Sequence, residues 1–445
     1  MKSINIKSIL LGCFALVSAV SVSGQEEELS KSRAIALTLE NNYGIAVADN
    51  NVLVSENNAD ILNSGYLPTI FGLAGLNYTL ENQRTDRDDE PPFVLNDAKS
   101  ESYNASINLE YTLFDGLGRL YNFKRLKESY QLSKLEARET IENTVLQLFS
   151  VYFEVARLTE NVEILEQTLE ISRNRVKRAG YQFDYGQNTK LEVLNAQVDV
   201  TNDSINLMNT RQLLLNTKRD LNVVLARDLK ENFEVDTSVV FIPKIELESF
   251  LDTASENNVR LLQNEANIAI SEFDIRISKA RFLPTVGLTG SYGWNETISP
   301  ASAFFIGSTR QNTGFQGGLN LRWNLFDGGT AITQLKNAQI VKENQVLLQQ
   351  QIKLEVSRDI ANARGNYDNL LAVYEIQEQN VITNTNNFER SKERFNLGQI
   401  TSIEFRQAQI NLINAETNKN FAKYEAKLAE LQLLQQVGQL LNIAF

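Results

Sequence analysis

Two periodicities share this chain. After Pro284 the residues alternate: Val286, Leu288, Tyr292 and Trp294 fall on one side, Gly287, Thr289, Ser291, Gly293 and Asn295 on the other. A later stretch sets Phe315, Leu319, Leu321, Trp323 and Leu325 against Gln316, Asn320, Arg322 and Asn324. Earlier, Tyr103, Ala105, Ile107, Leu109, Tyr111 and Leu113 oppose Asn104, Ser106, Asn108, Glu110 and Thr112. Residues 70–80 alternate less cleanly, because Phe71 and Leu73 interrupt the polar side. Period two predicts four strands with one apolar and one polar face. Lengths of about ten residues suit a tilted bilayer crossing, and Tyr and Trp on the apolar face suit its interfaces. A soluble sheet packed on helices would alternate in the same way. Four strands are too few to close a barrel, whose smallest common form has about eight, so a membrane reading requires several copies of the chain.

The other periodicity is helical. Ile141, Val145, Leu148, Tyr152, Val155, Val162, Leu165 and Leu169 step by three, four and seven within a proline-free stretch from 117 to 178. That spacing predicts a coiled-coil helix of roughly 90 Å. Residues 329–394 form its counterpart, with Gly365 as the one interior glycine. A shorter helix is expected over 189–230 and another over 247–281, separated by a break at 231–246 that contains Pro243. One long helix down and two shorter ones up describe a hollow cylinder with a belt partway along it.

The chain also repeats itself. Leu67-Pro68-Thr69 returns as Leu283-Pro284-Thr285 and Asn41-Asn42 as Asn257-Asn258, both shifted by 216 (283 − 67). Leu113-Phe114-Asp115-Gly116 returns as Leu325-Phe326-Asp327-Gly328, shifted by 212 (325 − 113). Phe183-x-x-Gly186-Gln187-x-Thr189 returns as Phe395-x-x-Gly398-Gln399-x-Thr401, again by 212. The shift changes inside the loop joining the paired strands, which includes the charged run 84–90. This order predicts a tandem duplication, with repeats over 25–235 and 236–445.

Composition narrows the chemistry. The 445 residues contain no histidine, and the single cysteine is Cys13. The commonest general base and transition-metal ligand is therefore missing. No G-x-S-x-G motif is present, so an enzyme would have only carboxylate chemistry to use. No cofactor is expected. A formal net charge of −12 disfavours nucleic acid as a partner. It suits a cation-attracting conduit, and also simple solubility. Lys2 and Lys7, the largely apolar run 9–22 and the small residues before Gln25 predict an export signal over 1–24. Leu10-Leu11-Gly12-Cys13 loosely matches a lipoprotein box, although the apolar run continues past it. No later span is uninterrupted and apolar, so membrane insertion would have to use strands.

With these features in place, the chain resembles the TolC family of outer-membrane efflux and secretion channels over essentially all of 25–445. The most specific marks are the paired turns at 183–189 and 395–401, each leading into a helix with Ala196-Gln197 or Ala408-Gln409. The resemblance implies a mainly helical fold with a membrane β-barrel. Three subunits would build one 12-stranded barrel, continued by a long periplasmic helical barrel. It further implies an outer-membrane exit duct, serving efflux or type I secretion, that works with a periplasmic adaptor and an inner-membrane pump. The adaptor would dock at Tyr185, Gly186, Gln187 and Thr189 and at Leu397, Gly398, Gln399 and Thr401. Family members narrow the tip with acids just past the turns. The matching positions are Glu192 and Asn195, then Glu404 and Gln407. A first-turn glutamate that only stabilises its helix is the plainer reading of Glu192 and Glu404. The position of a gate arginine in some relatives is Ile400, so a lock would be built differently. Glu110 and Arg322 hold equivalent strand positions and are expected to line the barrel lumen. A periplasmic scaffold with soluble strands is the competing non-enzymatic reading.

Overall fold

The computed structural model describes residues 27–86, 88–301 and 306–443. The expected export signal, Cys13 and the terminal Phe445 lie outside those residues. In chain order the elements are β1 (Glu27–Leu29), α1 (Lys31–Asn41), α2 (Tyr43–Asn58), β2 (Thr69–Thr85), β3 (Phe93–Phe114), α3 (Gly118–Asp184) and α4 (Lys190–Val224). They continue with β4 (Phe233–Val235), α5 (Lys244–Asp252), α6 (Ala254–Asn257), α7 (Val259–Ala280), β5 (Thr285–Ser299), β6 (Ser308–Arg322), α8 (Thr330–Asn396) and α9 (Ser402–Gln436). The long helices α3 and α8 have 67 residues each, and α4 and α9 have 35 each. At 1.5 Å per residue the long pair spans roughly 100 Å. Among the described residues no helix is long and apolar enough to cross a membrane.

The strands form one antiparallel sheet in the order β2-β3-β5-β6. β2 and β5 begin directly after Pro68 and Pro284, whose rings end the preceding helical turn. Register aligns the apolar positions across strands: Leu109 lies opposite Ile70 and Gly290, Ile107 opposite Tyr292, Tyr292 opposite Phe315, and Leu288 opposite Leu319. The polar face carries Asn108 beside Ser291 and Glu110 beside Thr289.

Three expectations need correction. The strands run to 17, 22, 15 and 15 residues, well beyond ten. At about 3.3 Å per residue even the shortest exceeds a bilayer's hydrocarbon thickness. The β2–β3 hairpin is longest, and a register shift between Glu81 and Gln83 interrupts its ladder. Secondly, β6 stops at Arg322, so Trp323 and Leu325 leave the strand; the Trp323 indole donates instead to the Phe282 carbonyl at 3.1 Å. Thirdly, the helix expected over 247–281 is three pieces, and the one expected to reach 230 ends at Val224.

The duplicated asparagines explain these breaks. Asn42 caps α2 by accepting from the Gly44 and Ile45 amides, and its own amide donates to the Val224 carbonyl at 2.8 Å. Asn258 caps α7 from Arg260 and Leu261 and donates to the Gln436 carbonyl at 2.7 Å. Each asparagine thus starts one ascending helix and satisfies a terminal carbonyl of the helix below it.

Around these splices lies the main core. It gathers Leu29, Phe149, Tyr152, Phe153, Leu221, Phe233, Tyr424, Leu431 and Leu434, all 4% exposed or less. Phe153 stacks on Phe149 and on Tyr424, with centroids 5.4 and 5.7 Å apart. The parallel pair β1–β4 is pinned by Tyr152, whose hydroxyl donates to the Leu29 carbonyl at 2.6 Å and accepts from the Asp236 amide at 3.0 Å. Fully buried Glu430 accepts from the Ile242 amide (2.7 Å) and the Tyr367 hydroxyl (3.1 Å) and pairs with Lys427. Its charge is therefore both paired and hydrogen-bonded.

Candidate functional site

The two hairpin turns at the far end of the long helices have the same construction. Gly186 and Gly398 both adopt φ of 73°, in the left-handed region that favours glycine. Each helix end closes with a paired set of bonds: Gly186 to Phe183 and Gln187 to Gln182, then Gly398 to Phe395 and Gln399 to Arg394, all amide to carbonyl. Tyr185 and Leu397 project beside the glycines at 80% and 72% exposure. Gln187, Thr189, Gln399 and Thr401 are exposed as well.

The first turns of the following helices differ. In α9 the Glu404 carboxylate folds back onto Thr401, accepting from its amide at 2.8 Å and its hydroxyl at 2.9 Å, while Thr401 accepts from the Glu404 amide. This is a complete capping box, and the Thr401 amide holds the Glu404 carboxyl below the usual glutamate range. In α4, Thr189 makes no side-chain cap. Glu192 is left with a buried carboxylate oxygen that has no hydrogen-bond partner among the described residues. It lines a cavity of about 310 Å³ together with Asn195, Gln407, Arg175, Asp199 and Arg406. Three of the four expected constriction residues therefore converge, and Glu404 lies outside that lining.

Beside this cavity the two hairpins are tied by arginines. Arg406 of α9 reaches across to Asp203 of α4, with contacts of 2.6 and 2.9 Å to its two oxygens, and lies 3.6 Å from Asp199. Ser172 donates to Asp203 at 2.6 Å. Arg175 of α3, 6% exposed, pairs with Asp199 at 3.0 Å and donates to the Ser402 hydroxyl at 2.7 Å. Burial pushes its guanidinium pKa down, against the opposing pull of Asp199. Nearer the turn, Arg178 donates to the Asn396 carbonyl at 2.8 Å and lies over the Phe395 ring. Nothing in the turn motifs points to these residues. Comparing the halves does: shifted by 212, Arg406 falls on Leu194, Asp203 on Ala415 and Asp199 on Asn411. At these three positions a charge in one half corresponds to a neutral residue in the other, and the charges pair across the halves.

In the sheet, Glu110 and Arg322 both face positions along β5, opposite Thr289 and Thr285 respectively. They form no ion pair with each other; the Arg322 side chain donates to Asn324.

Comparison with known proteins agrees with the fold. The description of the outer membrane efflux protein family matches residues 34–227 and again 250–439. The chain is similar to outer membrane protein TolC of Vibrio cholerae serotype O1, 22% identical over 382 residues, covering 85% of this chain and 83% of that one. It is also similar to outer membrane efflux protein BepC of Brucella suis, 20% identical over 440 residues, covering 97% and 90%. In fold it matches the CmeC outer membrane channel of Campylobacter jejuni with a TM-score of 0.73 at 16% identity, covering 92% of this chain and 86% of that one. This chain therefore belongs to the outer membrane efflux protein family, a family of channel proteins, and resides in the outer membrane.

Proposed function

We propose that three copies of the chain close into one continuous tube, a passive exit duct for efflux or secretion. The carrying observation is that, among the described residues, both lateral edges of the protomer lack partners. The sheet ends at β2 and β6. In the helical layer, α3 packs on α2, α4, α7 and α9, and α8 on α7 and α9, leaving α2 and α4 at one margin and α8 at the other. Those margins carry exposed apolar stripes: Leu191, Leu194, Val198, Ile205, Met208 and Leu215 on α4, and Ile340, Leu347 and Leu354 on α8. Their three-, four- and seven-residue steps are coiled-coil spacing with no partner among the described residues. Eight strands enclose little more than side chains, so twelve is the smaller closure with an aqueous lumen. The two halves then act as structural repeats from a duplication, and Glu110 and Arg322 line the barrel lumen.

On this reading the apolar sheet face meets lipid and the hairpin turns form the periplasmic tip. The turn residues at 185–189 and 397–401 are the docking surface for an adaptor that joins the duct to an inner-membrane pump. Glu192, Asn195 and Gln407 narrow the bore, with Glu404 beside them. The arginine clasp holds the two hairpins of each subunit together and the tip closed. Mass measurement in mild detergent tests the architecture: three copies are expected, and a stable monomer or dimer would overturn it.

A further inference from the structure

The first turns of α3 differ from those of α8 in a way the tube alone does not require. Residues 118–134 hold five cations (Arg119, Lys124, Arg125, Lys127, Lys134), one carboxylate (Glu128) and three aromatics (Tyr121, Phe123, Tyr130). The corresponding 17 residues of α8, 330–346, hold two lysines, one glutamate and no aromatic. In a chain of net charge −12, the start of α3 is a local basic patch.

Its side chains are ordered. Arg119, Phe123, Lys127, Tyr130 and Lys134 follow helical steps of four, four, three and four along one face. Arg119 lies over the Tyr66 and Tyr111 rings at 5.3 and 6.0 Å, and Lys127 over Phe123 at 4.5 Å. Phe123 meets Tyr66 edge-on, with centroids 6.3 Å apart. Tyr111 pairs with Leu288 on the apolar face of the sheet, so this stripe lies on that same side. Arg119 is already engaged by Asp115 and the Gly65 carbonyl, whereas Lys124 and Lys127 are exposed. Asp274 lies 3.7 Å from Arg125, and Glu56 accepts from the Tyr130 hydroxyl at 3.2 Å. Lys134 lies roughly 22 Å further down the helix than Arg119, beyond the reach of a headgroup layer.

Directly above, the apolar face is dented. Gly290 and Gly317 sit opposite each other in the ladder, and with Ile107, Leu109, Tyr292 and Phe315 they border a hollow of about 720 Å³. Leu109 is two residues above Tyr111, roughly 7 Å along the strand. An apolar dent that opens into hydrocarbon holds no water and leaves room for an alkyl chain.

We propose that the stripe and the hollow together seat one anionic phospholipid of the periplasm-facing leaflet per chain. Its phosphate meets Lys124 and Lys127 and one acyl chain runs up over Leu109 into the dent. Exposed lysines beside aromatic rings at the end of a membrane span are chemically suited to an anionic headgroup. This rests on the membrane placement of the sheet proposed above. The test is native mass spectrometry of the detergent-solubilised protein titrated with phosphatidylglycerol or phosphatidylcholine, with bound lipid counted per chain. Counting per chain reads the lipid result separately from the subunit number. One phosphatidylglycerol per chain is expected, preferred over phosphatidylcholine by roughly 30-fold, as expected for two surface lysines. The Lys124→Gln/Lys127→Gln variant should lose that preference and Lys336→Gln/Lys342→Gln on α8 should keep it. Gly290→Leu, which fills the dent, should weaken binding of both lipids. Equal retention of the two lipids by the unmodified protein would overturn the proposal, as would an unchanged preference in Lys124→Gln/Lys127→Gln. Displacement of phosphatidylglycerol by equimolar inorganic phosphate would assign the patch to free anions and also overturn it.

Discussion

Two of the places where the halves of this protein meet, the belt and the tip, are built by opposite means. At the belt they share a buried aromatic core in which Phe153 of the first half stacks on Tyr424, and Phe149 and Tyr152 cluster with the leucines of α9. At the tip they share arginines and carboxylates, with Arg406 on Asp203 and Arg175 on Ser402. Burial of apolar area is non-directional and survives small displacements, so the belt behaves as a fixed hub. A bidentate charge pair depends on geometry and breaks within a few tenths of a nanometre. On the proposed reading, a duct shut at rest and wide in use would have its permanent joint at the belt and its releasable joint at the tip.

The strongest challenge to this contrast is Phe153→Ala. Removing a 2%-exposed ring between two stacked neighbours should cost about 3–5 kcal/mol. Thermal melting of the solubilised protein should fall sharply, and subunit assembly with it. A melting point within a degree or two of the parent would show that the hub is not where stability resides.

Arg406→Ala comes next. It leaves Asp203, 3% exposed, without its main partner, a local loss of about 3 kcal/mol. The expected signature is selective: larger single-channel conductance in planar bilayers with the global melting point nearly kept. Unchanged conductance would mean that the clasp does not govern the opening. A double-mutant cycle with Asp203→Asn should give strong coupling between the two sites.

The splices sharpen the comparison, because they flank the hub in both halves. Asn42→Ala and Asn258→Ala each lose a cap and a bond to the helix below, about 1 kcal/mol apiece. Hydrogen exchange should speed up at the start of α2 or α7 respectively. Effects of very unequal size would argue against equivalent halves.

The smallest effects are expected at the glutamates, where the halves diverge. Glu192→Gln should reduce cation selectivity, and Glu404→Gln should instead fray the first turn of α9. Glu404 has a folded-state pKa below its unfolded value, so its cap is fully present above the unfolded value. It is lost as pH falls through the folded one. Exchange at the start of α9 should therefore hold steady through mildly acidic pH and rise only in stronger acid. Equal loss of selectivity in both variants would place both carboxylates in the bore.

Period-two and heptad spacing made the strands and long helices legible, because both report which face is buried. The tip turns were legible from their duplicated glycines, since only a left-handed residue closes that helix end. Strand ends were not: polar and apolar residues keep alternating past the bilayer, and Trp323 looks like strand until its indole turns to Phe282. The breaks in 247–281 hid because Asn258 is an unremarkable polar residue until the carbonyl it bonds, 178 positions away, comes beside it. The clasp hid for the same reason. Arg175 and Asp203 are ordinary charges on separate helices in the sequence, and only the packing of the hairpins buries them.

The asparagine splices also have a mechanical consequence. Two of the four helical walls of each subunit, α3 and α8, are unbroken beams from sheet to tip. The other two are each cut at the belt and rejoined by a side-chain amide, at Val224 and at Gln436, with Arg138 also bridging the second cut from Asn257 to Gly438. A beam carries torque along its whole length, whereas a spliced mast passes on little more than compression. If the lower hairpins untwist, α4 and α9 can swivel beneath their joints while α2 and α7 stay fixed under the sheet. On the proposed reading, dilation at the free end is then absorbed at the belt, and the sheet end of the tube keeps its diameter.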